Sequence, residues 1–134
     1  MPTKVTWVNG TFDVLHMGHI KLFQKAWTLG NKVIVGINSD ERISQAKGSS
    51  RPVNKLEDRI AFLQSIKYIS VVQPFNTDEE LEALIKHYSP EFFVIGEEYK
   101  AKRIIGKEWA NEMVYVPKYG GLSSSNIVNG THNS

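Results

Sequence analysis

Residues 5–29 decide the fold: Val5-Thr6-Trp7-Val8-Asn9-Gly10-Thr11-Phe12-Asp13-Val14-Leu15-His16-Met17-Gly18-His19-Ile20-Lys21-Leu22-Phe23-Gln24-Lys25-Ala26-Trp27-Thr28-Leu29. The apolar run Val5 to Val8 reads as a strand. Asn9 to Asp13 is a turn of small and polar residues. From Gly18 to Leu29 the apolar spacing is helical, and Gly30 ends it. Two imidazoles, His16 and His19, stand three apart at this strand-to-helix junction, so both can point into one space. Gly18 between them lets a ligand approach the backbone closely. The helix start adds unpaired N–H groups and a partial positive charge, which suits a polyphosphate.

Working outward, the same alternation repeats. Lys32 to Ile37 reads as a second strand and Asn38-Ser39-Asp40 as a turn that caps a short helix, Glu41 to Ala46. Lys47 to Asn54 reads as a loop with two cations. Leu56 to Ile66 is helical, Ser70 to Val72 a third strand, and Thr77-Asp78-Glu79-Glu80 opens a helix to about Tyr88. Phe92 to Ile95 is a fourth strand stopped by Gly96, and Val114 to Val116 a fifth. Gly120-Gly121 and three serines precede a last short helix near Asn126. The first two strands are almost wholly apolar, as in a sheet covered on both faces. Strand–helix repetition predicts an α/β fold: one Rossmann-like domain over residues 1–134, with a parallel five-stranded sheet and helices on both faces. In such a sheet ligands sit beyond the carboxyl ends of the strands, near a switch in strand order. Segments 9–19, 38–54, 96–103 and 118–126 all fall there.

Composition narrows the chemistry. With 134 residues and no cysteine, disulfides, thiolate zinc sites and cysteine nucleophiles are excluded. Formal net charge is +2 with the signs interspersed, too mild for a nucleic-acid surface. No apolar run approaches the length of a membrane span, and Met1 to Lys4 lacks a signal core. A soluble cytoplasmic protein, with neither nucleic acid nor membrane as partner, is the expectation.

The residues also carry a resemblance. Asn9-Gly10-Thr11-Phe12-Asp13 with His16-Met17-Gly18-His19 resembles the cytidylyltransferase-like nucleotidyltransferases, whose mark is His-x-Gly-His. Gly121-Leu122-Ser123-Ser124-Ser125-Asn126-Ile127 looks like their second signature, with serines for the usual threonines. Within the group, Asn38-Ser39-Asp40, Lys47-Gly48-Ser49-Ser50-Arg51-Pro52-Val53-Asn54, Glu57, Arg59 and Gly96-Glu97-Glu98-Tyr99-Lys100 look like the branch that adenylylates heptose 1-phosphate. The next branch, which makes CDP-glycerol from CTP and glycerol 3-phosphate, shares Gly10-Thr11-Phe12-Asp13 and His16-x-Gly18-His19-Ile20-Lys21-Leu22. Lys118 stands where the cytidylyl branch has arginine, and a lysine loses the planar two-pronged donor. Glu98 stands where both branches usually have aspartate.

The resemblance implies a reaction in which an acceptor phosphate attacks the α-phosphorus of a nucleoside triphosphate and pyrophosphate leaves. Such catalysis is alignment plus charge stabilisation, with Mg2+ accompanying the triphosphate. It implies His16, His19 and Lys47 as catalytic groups; the histidines as plain polar residues or as a metal pair are the alternatives, and no third ligand close in sequence favours a protein-bound metal. Nucleotide contacts fall to Asn9, Gly10, Thr11, Phe12, Gly18, Gly96, Glu98, Tyr99, Lys118, Ser123, Ser124 and Ser125. Acceptor contacts fall to Asp13, Asp40, Arg51 and Arg59. The bland alternatives stay open: Phe12 as core, Asp13 as a cap, Lys47 as a solvated loop lysine, Arg59 in a surface ion pair and the serines as a helix cap. A homodimer is expected because relatives in the group commonly form one, with Trp27 or Tyr68 as candidate contacts. A nucleotide-binding module without turnover is the competing class.

Overall fold

The protein is described over residues 3–118, from a computed structural model. Five parallel strands lie in the order β3-β2-β1-β4-β5, with β1 Val5–Gly10, β2 Lys32–Asn38, β3 Val71–Phe75, β4 Phe92–Gly96 and β5 Glu112–Val116. Helices α1 (Met17–Leu29), α2 (Asp40–Lys47), α3 (Leu56–Gln64) and α4 (Asp78–Tyr88) form the crossovers. The fold class and the five strands agree with the expectation. The predicted final helix, Tyr119 and Ser123 to Asn126 lie outside the described residues.

Strand alternation builds two cores. Val8, Val33, Val35, Ile37 and Val94 face one way and pack with Phe23 and Ala26 of α1 and Leu63 of α3. Trp7, Ile34 and Phe93 face the other way and pack with Phe75 and with Leu81 and Ile85 of α4. Successive side chains point to opposite faces of a strand, so an unbroken apolar run is what a doubly covered sheet needs. Gly36 serves this packing: a Cβ there would meet the Trp7 ring at 2.5 Å.

Several boundaries differ from the sequence expectation. β1 runs two residues further, to Gly10, because Asn9 and Gly10 pair in register with Gly36 and Ile37. β3 extends through Pro74 to Phe75, tolerable because β3 is an edge strand. Lys47 is the last residue of α2, where a cation suits the helix dipole, and the loop begins at Gly48 with φ 98°. Short 3₁₀ turns at Glu97–Tyr99 and Lys107–Trp109 were not foreseen.

The order 3-2-1-4-5 reverses direction at β1. The chain leaves β1 toward β2 on one side and later returns to β4 on the other. The carboxyl ends of β1 and β4 therefore part at a switch point, the position at which open α/β sheets bind ligands.

Candidate active site

The two histidines form the start of α1. His16 is the N-cap, and its Nδ1 accepts from the Gly18 backbone N–H at 3.0 Å. His19 closes the motif from the third position, its Nδ1 accepting from the His16 N–H at 3.1 Å. A reciprocal cap of this kind is usually made by a hydroxyl and a carboxylate or amide; here two imidazoles make it. The rings stack with centroids 3.9 Å apart and planes 29° apart. Phe12 meets His19 edge-on at 5.4 Å.

That geometry fixes protonation. An Nδ1 that accepts carries a lone pair, so each neutral ring keeps its proton on Nε2. Burial, and then the neighbouring His16, push the His19 pKa down to about 3, and burial also lowers that of His16. The pair is thus two neutral Nε2–H donors side by side near neutral pH. The cap also takes the N–H of Gly18, which the sequence reading offered to the ligand. Gly18 therefore serves the cap through its backbone N–H.

The turn after β1 sorts its residues differently from the expectation. Phe12 adopts a left-handed backbone, φ 49°, with its ring 5% exposed. The ring folds back on Gly10, where a Cβ would meet it at 3.0 Å, and packs on Phe23. The Phe12 side chain is therefore core, the alternative left open above, and an uncommon backbone conformation for a bulky residue holds it there. Asn9 takes a hydrogen bond from the Trp7 indole at 2.8 Å, which anchors its side chain. Thr11 is half-buried and lines a cleft.

The proposed acceptor contacts also need correction. Asp13 is 1% exposed, and its carboxylate accepts from the Val53 and Asn54 N–H groups, both at 2.8 Å. Arg51, 6% exposed, approaches the same carboxylate at 3.5 Å. Asp13 therefore ties loop 48–55 to the turn after β1. Arg59 is wholly buried. It donates to the carbonyls of Asn54, Thr11 and Asn38 at 2.9, 3.0 and 2.7 Å, and to Asp40 at 2.7 Å. Four of its five N–H donors are spent inside the protein. Arg59 holds the ends of β1 and β2 together, with Asp40 as its counter-charge, and a phosphate does not reach it.

A cleft of about 650 Å³ opens between the end of β1, α2 and the turn after β4. Thr11 and Asn38 form its floor. Arg42, Gln45 and Lys47 line one side, and Tyr99 the other. Lys47 is exposed on this wall, as a ligand-facing cation would be. At Gly96 a Cβ would meet the Glu98 Oε1 at 1.9 Å, so the Glu98 carboxylate folds back across the end of β4. Burial and then Glu98 raise the Tyr99 pKa. Lys118 is exposed two residues beyond β5. Arg42 and Gln45 were missed from sequence; the one available signal was their spacing from Asn38, one and two helical turns on. Among the described residues no group of three or more His, Cys, Asp or Glu is placed to hold a metal ion.

The cleft thus offers cations and hydroxyl or amide groups, while the two imidazoles stand at the start of α1 rather than among its lining residues. No nucleophile with an adjacent base is among the residues described above. Such a set binds phosphates and stabilises charge that spreads over phosphoryl oxygens.

Comparison with known proteins agrees. The chain is 40% identical over 126 residues to bifunctional protein HldE of Helicobacter hepaticus, covering 94% of this chain and 26% of that one. It is 42% identical over 125 residues to the protein of the same name from Sulfurimonas denitrificans, covering 93% and 26%. The chain therefore spans about a quarter of the length of these curated relatives. Among solved structures, a lipopolysaccharide core biosynthesis protein from Thermoplasma volcanium superposes with TM-score 0.72 at 21% identity, over 88% of this chain and 99% of that one. Pantothenate synthetase from Thermus thermophilus superposes with TM-score 0.67 at 19% identity, over 92% and 61%. These two share the fold. The sequence model of the cytidylyltransferase-like family matches residues 7–130, and with the paired histidines at the switch point it places this chain in that family of nucleotidyltransferases.

Proposed function

We propose that this domain transfers a nucleotidyl group from a nucleoside triphosphate, ATP preferred, to a phosphorylated sugar of the heptose 1-phosphate kind. An oxygen of the acceptor phosphate forms a bond to the α-phosphorus. The bond from that phosphorus to the bridging oxygen breaks, and pyrophosphate leaves with the electron pair. No covalent enzyme intermediate is needed. The observation that carries this reading is the stacked, reciprocally capped pair His16 and His19, two fixed Nε2–H donors at a helix start. Being neutral, they stabilise charge on the α-phosphate without drawing the polyphosphate into a tight ground-state ion pair. Lys47 supplies an exposed cation from the cleft wall.

Magnesium enters with the triphosphate, whose oxygens supply its protein-independent ligands, and it offsets polyphosphate charge. The preference for a heptose phosphate rests on the stretch from Asn38 to Arg59, and on relatives at 40–42% identity across more than nine tenths of the chain. A homodimer belongs to the same reading, with Trp27, 46% exposed, as a contact. Light scattering tests that part. Among the described residues no helix is long and apolar enough to cross a membrane.

The deciding experiment is a pyrophosphate-release assay with magnesium, four nucleoside triphosphates, and a panel of phosphorylated sugars and polyols. Turnover with ATP and heptose 1-phosphate is expected. Turnover confined to CTP and glycerol 3-phosphate overturns the substrate assignment, and nucleotide binding without any product overturns the enzymatic one.

A further inference from the structure

The floor of the cleft contains a chain of hydrogen bonds whose direction is dictated from one end. It starts at Arg42 on α2. The guanidinium has only donors, and its Nε–H reaches Asn38 Oδ1 at 2.7 Å. The amide of Asn38 therefore cannot flip: its oxygen faces Arg42, and its NH2 group faces the other way. There Nδ2 donates to Thr11 Oγ1 at 3.5 Å. A hydroxyl that accepts this bond has its own proton left to give. Thr11 directly follows β1, lines the cleft and stands five residues before His16.

Arg42 is itself held on three sides. Its Nη2 pairs with Asp78 at 2.7 Å, Nη1 donates to the Asn76 carbonyl at 3.4 Å, and the guanidinium lies over the Phe75 ring at 5.3 Å. The ion pair with Asp78 is solvent-facing, with side chains 27% and 56% exposed, and such pairs add little stability. Stability alone does not account for an arginine whose three side-chain nitrogens are all engaged. The backbones at the far end are equally constrained, since one nitrogen of Arg59 bridges the carbonyls of Thr11 and Asn38. Both the spacing and the polarity of the Asn38–Thr11 pair are thus set by the surrounding protein.

We propose that Arg42 and Asn38 are positioning residues that orient the Thr11 hydroxyl as a donor toward a phosphate oxygen of the bound nucleotide. The relay runs Arg42 to Asn38 to Thr11 to the ligand, each member donating to the next. It rests on the nucleotidyltransferase reading of the same site and adds to it two residues that touch no reacting atom. Without Arg42 the Asn38 amide is free to turn over. Its oxygen then accepts the Thr11 proton, and the hydroxyl faces the ligand as an acceptor against an anion.

A double-mutant cycle tests this, with KM for the nucleotide and kcat measured separately. Thr11→Val, which removes the hydroxyl at constant shape, raises KM about tenfold, the scale of one hydrogen bond to a charged group. Thr11→Ser restores it. Arg42→Met raises KM about three- to tenfold with kcat changed less, on the same scale. In the Thr11→Val background, Arg42→Met adds nothing further. Multiplicative effects of the two changes, or a wild-type KM in Thr11→Val, overturn the relay. His19→Ala separates that failure from failure of the underlying reading: loss of turnover in His19→Ala keeps the enzyme assignment standing while the relay falls, and full turnover removes both. Melting curves on each variant confirm that the comparisons are made on folded protein.

Discussion

His16 and His19 lie ring on ring, 3.9 Å between centroids, and each gives its Nδ1 to a backbone N–H at the start of α1. One pair of side chains therefore begins the helix with its Nδ1 atoms and keeps both Nε2–H groups out of the cap. The first expected outcome separates these tasks. Asparagine is as good an N-cap as any residue, so His16→Asn keeps the fold and melts within a few degrees of the parent. It lacks the Nε2–H, and pyrophosphate release falls by about 10²–10³-fold, the scale of losing one preorganised donor. Wild-type turnover in His16→Asn removes His16 from the chemistry.

Stability should fall in acid with a definite sign. The His19 pKa is lowered to about 3 in the fold and is about 6.5 in the unfolded chain. Above pH 6.5 both states are neutral and the histidine makes no difference. Below it the unfolded chain takes up a proton that the fold refuses, so stability declines as pH falls from 6.5 toward 3. His16, shifted in the same direction, adds to the slope. Urea midpoints from pH 7 to pH 4.5 check this, and His19→Gln should flatten the curve. An unchanged slope in that variant refutes the assignment.

Arg59 is expected to behave as structure. Arg59→Met leaves three carbonyls without their donor and frees a partly exposed Asp40, and an unsatisfied buried acceptor costs about 1–3 kcal/mol. Denaturant titration reads the loss. A variant with parental stability and only a weakened affinity for the acceptor would restore Arg59 as a phosphate contact.

Two glycines should respond oppositely to alanine. At Gly36 the new methyl meets the rigid Trp7 ring at 2.5 Å, and overpacking of that kind costs about 1–3 kcal/mol. At Gly96 it meets only the end of the flexible Glu98 side chain, which swings away. Gly96→Ala should keep its denaturation midpoint while KM for the nucleotide rises. Equal destabilisation at both positions contradicts the packing described.

The sheet was legible because its signals are local. Two nearly unbroken apolar runs, the helical spacing after His16, and the Thr77 cap each depend on neighbours in sequence, and each element appeared where expected. The motif made the place of His16 and His19 at the first strand-to-helix turn legible. The burial of Asp13 and Arg59 was not legible. Nothing in sequence tells a cation that faces a ligand from one enclosed by three carbonyls, since those carbonyls come from residues 5, 21 and 48 positions away.

The chain alone therefore determined the alternation of strands and helices, the two covered faces of the sheet, and the paired imidazoles at the first turn. Those follow from side-chain period and from capping chemistry over three or four residues. Only the folded molecule decided which polar groups remain for a ligand. That choice depends on which donors the closing of loop 48–55 and α2 onto the end of β1 has already consumed, and on the burial that keeps both histidines uncharged.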